Sequence, residues 1–104
     1  MVLGTKQTGM VLGNLTNILA RASVIRKGHG LAYSLSRESS ELLTRIGIGD
    51  RAVLHVRAVD RPVSFKAVAR IHGQRLYIHI PKWAEEYHNH GDEVLLVITP
   101  LTVR

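Results

Sequence analysis

With 104 residues, no cysteine and 45% hydrophobic composition, the chain is sized for one domain with a modest core, and it can build neither a disulfide framework nor a thiolate metal site. Fourteen Lys and Arg against eight Asp and Glu give a formal charge of +6 and a pI near 10.3, which favours a polyanionic partner such as nucleic acid; solubility alone is the plain alternative. Aromatic residues, at 5%, are too few for a platform that stacks several single-stranded bases.

The N-terminal stretch MVLGTKQTGMVLGNLTNILAR lacks the positive start and unbroken apolar run of a signal peptide. No segment approaches the roughly 18 apolar residues of a membrane span. The expectation is a soluble, cytoplasmic protein without membrane association. Residues 1–18 form a glycine-containing arm in which MVLG occurs twice, at Met1 and at Met10; a glycine-rich hairpin and a loose arm both fit. Asn14 to Ala20 fits either a further strand or one helical turn.

From residue 19 a pattern emerges. Ser23 to Arg37, SVIRKGHGLAYSLSR, lies over Val68 to Lys82, VARIHGQRLYIHIPK, at an offset of 45, so that Gly28 meets Gly73, Leu31 meets Leu76 and Leu35 meets Ile80. Each stretch continues into a short amphipathic run, a Gly-Asp pair (Gly49-Asp50 and Gly91-Asp92) and an apolar strand (AVLHV and EVLLVI). Strand, glycine turn, strand, helix, turn, strand is therefore expected twice, as residues 19–60 and 61–104, with Asp60-Arg61-Pro62 as the joining loop.

Period-two alternation supports the strands. Phe65, Ala67, Ala69 and Ile71 share one face against Lys66, Val68 and Arg70; Leu76, Ile78 and Ile80 oppose Tyr77 and His79; Leu31, Tyr33 and Leu35 oppose Ala32 and Ser34. For the first helix Ser36 is the expected N-cap and Leu42, Leu43 and Ile46 the apolar stripe. For the second, about a turn shorter, Pro81 suits the first turn and Trp83, Ala84 and Tyr87 face inward.

GHGLAYSLS (Gly28 to Ser36) and GQRLYIHIP (Gly73 to Pro81), each followed by its Gly-Asp, resemble the AbrB-like family of DNA-binding domains, the SpoVT and MazE type, over roughly residues 19 to 101. The resemblance implies a mostly β fold with short helices, a swapped-hairpin barrel whose two halves here come from one chain. It implies a DNA-binding transcriptional regulator; two tandem copies allow a monomer, and a homodimer is compatible. The first copy departs from the family pattern with Ser36 in place of proline. His29 and Gln74 stand where the family has Asn, and Gly30 and Arg75 where it has a small polar residue.

Charge gathers on the strand and glycine-turn segments. Arg21, Arg26, Lys27 and Arg37 occur without an acid over residues 21–37, and residues 57–82 carry six Lys or Arg against Asp60. The expected nucleic-acid surface is Arg21, Arg26, Lys27, Gly28, His29, Arg70, His72, Gly73, Gln74 and Arg75. Glycine at 28, 30 and 73 lets a turn take positive φ and approach a phosphate backbone; ordinary hairpin glycines beside a solvated basic face are the bland alternative. By resemblance His29, Gln74, Ser34 and His79 reach groove edges. Duplex DNA is the favoured partner and structured RNA the next, as in a small basic accessory protein of a ribosome or other ribonucleoprotein assembly.

His88 and His90 flank Asn89 but lack zinc-site spacing, so they are read as turn residues and no metal or cofactor is expected. No nucleophile elbow, P-loop or dinucleotide fingerprint occurs, so no enzymatic activity is expected. Asp50 and Asp92 are expected to fix hairpin geometry.

Overall fold

The computed structural model describes residues 16–101. Six strands, β1 (Ile18–Lys27), β2 (Gly30–Leu35), β3 (Val53–Ala58), β4 (Ser64–His72), β5 (Arg75–His79) and β6 (Glu93–Pro100), close into an antiparallel barrel in the order β1-β2-β5-β4-β3-β6. Helix α1 (Arg37–Arg45) lies between β2 and β3, and a 3-10 helix (Lys82–Tyr87) between β5 and β6. Closure leaves no strand edge open to pair with another chain. The expected arm at residues 1–18 falls almost wholly outside the described residues; Ile18 to Ala20 are neither a separate strand nor a helical turn but the start of β1. No helix among the described residues is long and apolar enough to cross a membrane.

The alternation in the sequence becomes inside and outside of the barrel. Ala20, Ala22 and Val24 of β1, Tyr33 and Leu35 of β2, Leu54 and Val56 of β3, Ala69 of β4, Leu76 and Ile78 of β5 and Leu96 and Ile98 of β6 form the buried interior. Full burial of each Leu, Ile or Val contributes about 1.5–3 kcal/mol relative to exposure. On β2 the alternation blurs because Ala32 and Ser34, facing outward, are also buried. They sit opposite His79 and Tyr77 across the β2–β5 ladder, and the larger neighbours overhang them.

Hairpins β1–β2 and β4–β5 each turn through two residues, with Lys27 paired to Gly30 and His72 to Arg75. Gly28 and Gly73 both have φ 64°, the sign that a two-residue type II′ turn demands of its first central position. Gly30, by contrast, lies in β2 without positive φ; a Cβ there would come within 3.1 Å of Glu85 Oε2 and 3.2 Å of His79 Cε1. Its small size serves a close approach, not a turn.

Helix α1 is fastened by three serines. Ser36 caps it, its Oγ accepting from the Ser39 amide at 3.1 Å; Ser39 Oγ accepts from the Arg21 amide at 3.0 Å, and Ser40 Oγ from the Leu76 amide at 3.1 Å. Leu43 is its core residue, whereas Leu42 and Ile46, expected in the apolar stripe, are exposed because one side chain per turn suffices to plug the barrel mouth. The 3-10 helix buries only Ala84. Trp83 and Tyr87, expected inside, are 53% and 42% exposed: at three residues per turn Trp83 falls off the stripe that Ala84 buries, and Tyr87, which shares that stripe, is the last residue of the helix. Pro81 is the N-cap of that helix instead of a residue within its first turn.

His88 is a further departure from expectation. It is 6% exposed, and its Nδ1 lies 2.8 Å from the Ala84 carbonyl, which can only accept, so Nδ1 carries the proton. Nε2 then accepts from the Tyr33 hydroxyl at 2.5 Å in the core. Burial pushes the Tyr33 phenol up to about 12.

The Gly-Asp pairs do not occupy equivalent places. Val24 bonds to Gly91 and Asp92 through its backbone, and Ala69 bonds in the same way to Arg51 and Ala52. Arg51, with φ 71°, thus stands where Gly91, with φ 95°, stands in the second half, two residues beyond Gly49, the position that the Gly-Asp match implies.

Candidate nucleic-acid interface

The four strands β1, β2, β5 and β4 are contiguous in the barrel and contain no acidic residue. Their Lys and Arg residues are Arg21, Arg26, Lys27, Lys66, Arg70 and Arg75, and all six are exposed. Gly28, His29, His72, Gly73 and Gln74 are exposed too, so the ten residues expected to form the nucleic-acid surface are all exposed.

Tyr77 anchors the middle of this wall. Lys27 reaches from β1 across β2 to place its Nζ 4.3 Å from the Tyr77 ring centroid, and the His72 ring meets Tyr77 edge-on at 5.6 Å. Small Ala32, in the strand between, leaves room for the lysine to cross. Lys27, Ala32, Arg70, His72, Tyr77 and His79 line a shallow depression of about 240 Å3. Arg75 lies over Ser34, its Nη1 3.4 Å from the hydroxyl, so Ser34 is covered and does not reach a groove edge as expected.

The two glycine turns are not brought together. Because β2 and β5 run antiparallel with Tyr33 opposite Ile78, Gly28-His29 emerges at one end of the wall and Gly73-Gln74 at the other. Roughly ten residue steps at a rise of about 3.3 Å place them about 30 Å apart. Gly30, which follows the first turn, lies beside His79 and Glu85, and the second turn lies beside Glu41, Thr44 and Arg45 of α1.

The cations differ in how free they are. Arg21, Arg26, Lys27, Lys66 and Arg75 form no ion pair among the described residues. Arg70 Nε is 3.4 Å from Asp50 Oδ1, which also accepts from the Ile71 amide at 2.9 Å. That amide first, and Arg70 after it, hold the Asp50 carboxyl below the usual carboxylate range. Arg61 is spent on structure: its guanidinium donates to Asp60, to the Tyr87 carbonyl at 2.9 Å and to Asp92 at 3.1 Å. The Asn89 amide, then Arg61, lowers the Asp92 carboxyl likewise, while Arg61 chiefly lowers that of Asp60.

Sequence reasoning passed over Lys66 and Tyr77 as site residues, although both stand on the polar side of an alternating strand. Among the described residues, no three His, Asp or Glu side chains gather as a metal site would need. No protein-family model, no curated protein and no solved structure matches the chain.

Proposed function

We propose that this protein binds nucleic acid, duplex DNA foremost, through the outer wall of β1, β2, β5 and β4, and acts as a transcriptional regulator of the AbrB-like type. The observation that carries this reading is charge segregation: six exposed Lys and Arg on four adjoining strands that hold no acid. Such a wall releases counterions from a phosphate backbone on contact. The reading includes the finer architecture, two β-β-helix-β halves interlocked as swapped hairpins. What supports it is the pairing of β1 with β6 and of β3 with β4, so that each half begins on the strand that ends the other. The two turns, about 30 Å apart and related by an approximate two-fold through the Tyr33–Ile78 pair, suit successive turns of one groove, which recur about every 34 Å.

Binding measured over a salt series with duplex DNA, single strands and structured RNA tests the proposal. Duplex binding with a steep salt slope is expected, and Lys27→Gln with Arg75→Gln should reduce that slope by about 2, since each phosphate contact contributes about 0.9. Reversing Arg26, Lys27, Arg70 and Arg75 to Glu together should abolish binding; binding that survives would place the interface elsewhere. Binding confined to structured RNA would replace the regulator with a ribonucleoprotein component.

A further inference from the structure

Trp83 is the single tryptophan of the chain and stands 53% exposed on the 3-10 helix, at the border of the cationic wall. Its ring stacks on no aromatic side chain, and its indole N–H has no hydrogen-bond partner among the described residues. Two shallow grooves meet at it. One, of about 690 Å3, is lined on its far side by Lys66, Val68, Arg70 and His79; the other, of about 340 Å3, by Arg57 and Pro62. Neither groove is lined by an acidic residue. A large, rigid π face with free cations to either side matches the parts of a single-stranded nucleotide: a base that stacks, and flanking phosphates that pair with Lys66 and Arg57.

We propose that Trp83 is a stacking site for one unpaired nucleobase, with Lys66 and Arg57 holding the phosphates on its two sides. The proposal rests on the nucleic-acid reading of the adjoining wall, and goes beyond it by assigning a single-stranded segment to a defined place. One platform serves one base, in keeping with the low aromatic content. At three residues per turn Glu86 projects on the same side as Trp83. It is the acid that opposes phosphate there, so its removal should tighten binding.

Because Trp83 is the only tryptophan, its fluorescence reports on the site directly. The full chain is titrated at low salt with short oligothymidine and, separately, with a blunt-ended duplex. Expected are quenching by the single strand and little by the duplex. Trp83→Ala should weaken single-strand binding about tenfold while duplex affinity is unchanged; Trp83→Phe should retain most of the affinity, and Glu86→Gln should raise it. The side chain is exposed, so these variants keep the fold, which circular dichroism checks. Single-strand binding without quenching, equal affinity of Trp83→Ala, or no single-strand binding at all would overturn the proposal. So would a fluorescence shift that depends on protein concentration alone, since a second copy would then occupy the site. Duplex binding in the same series judges the wall independently: if it persists while Trp83 is silent, only the stacking site fails.

Discussion

The two connecting helices close the barrel with different chemistry. α1 has nine residues, a side-chain cap, three serines bonded to strand amides or its own first turn, and Leu43 as an apolar plug. The 3-10 helix has six residues, no side-chain cap and only Ala84 to bury, and its end is instead held by the His88–Tyr33 hydrogen bond and by Arg61. A short helix that cannot supply hydrophobic area is fastened by buried polar contacts. That has a cost in geometry, because a polar contact left half-made in the interior is worse than none.

Truncation of the two plugs should show this most strongly. Leu43→Ala is expected to destabilise by about 3 kcal/mol through lost burial and a cavity. His88→Ala should cost about 2–3 kcal/mol although less apolar surface is lost, because the Tyr33 hydroxyl is left in the core without an acceptor. Urea unfolding compares them directly. If His88→Ala cost under 1 kcal/mol, the second half would not depend on the buried pair. Tyr33→Phe leaves His88 Nε2 without its donor in the core and should cost about 1–2 kcal/mol.

The same pair sets an alkaline limit. The Tyr33 phenol titrates near 12 in the folded chain against an ordinary value of 10.0, so its contribution is complete below pH 10 and is lost as pH rises from there towards 12. Tyr33→Phe should remove that part of the alkaline slope in a thermal-melt series. At the acid end, Asp50, Asp60 and Asp92 are lowered in the fold, so the stability they contribute is present above their usual value near 3.8 and falls as they are protonated below it. Asp92 joins Arg61 to the Asn89 turn of the second half, and Asp92→Asn should flatten the acid limb there without altering the alkaline one.

Strands were legible in the sequence because alternation is a local property: Leu76, Ile78 and Ile80 declare their side whatever the rest of the chain does. Helix faces were not, because a six- to nine-residue run offers too few turns to show which stripe is buried, and Trp83, Tyr87, Leu42 and Ile46 came out exposed. The candidate wall was legible as charge in sequence, since all its expected residues lie at the surface. Its geometry was not, because the separation of the two glycine turns follows from the β2–β5 register, a contact between residues 45 apart. Lys27 over Tyr77 depends on that register too. His88 was hidden by its neighbours: Asn89, His90 and Gly91 read as a turn, and nothing local announces that the residue before them points into the core.

The smallest effect concerns Arg51 and Gly91, whose left-handed backbone lies two residues ahead of β3 and β6. Gly91, at φ 95°, would meet nothing within 4 Å if given a Cβ, so Gly91→Ala tests the backbone conformation alone and should cost about 1 kcal/mol. Arg51, at φ 71°, already bears that cost in the first half, and its exposed side chain gains only a loose contact, Nε to Asp50 Oδ2 at 3.9 Å. Arg51→Gly therefore relieves about 1 kcal/mol of strain but returns about 0.5–1 kcal/mol through the greater freedom of glycine in the unfolded chain. The net change should lie within about 0.5 kcal/mol of zero, read from denaturant midpoints of both variants against the parent. A loss above 1 kcal/mol on Arg51→Gly would mean that the arginine side chain holds the turn in place, and that the two halves enter their last strands by different means.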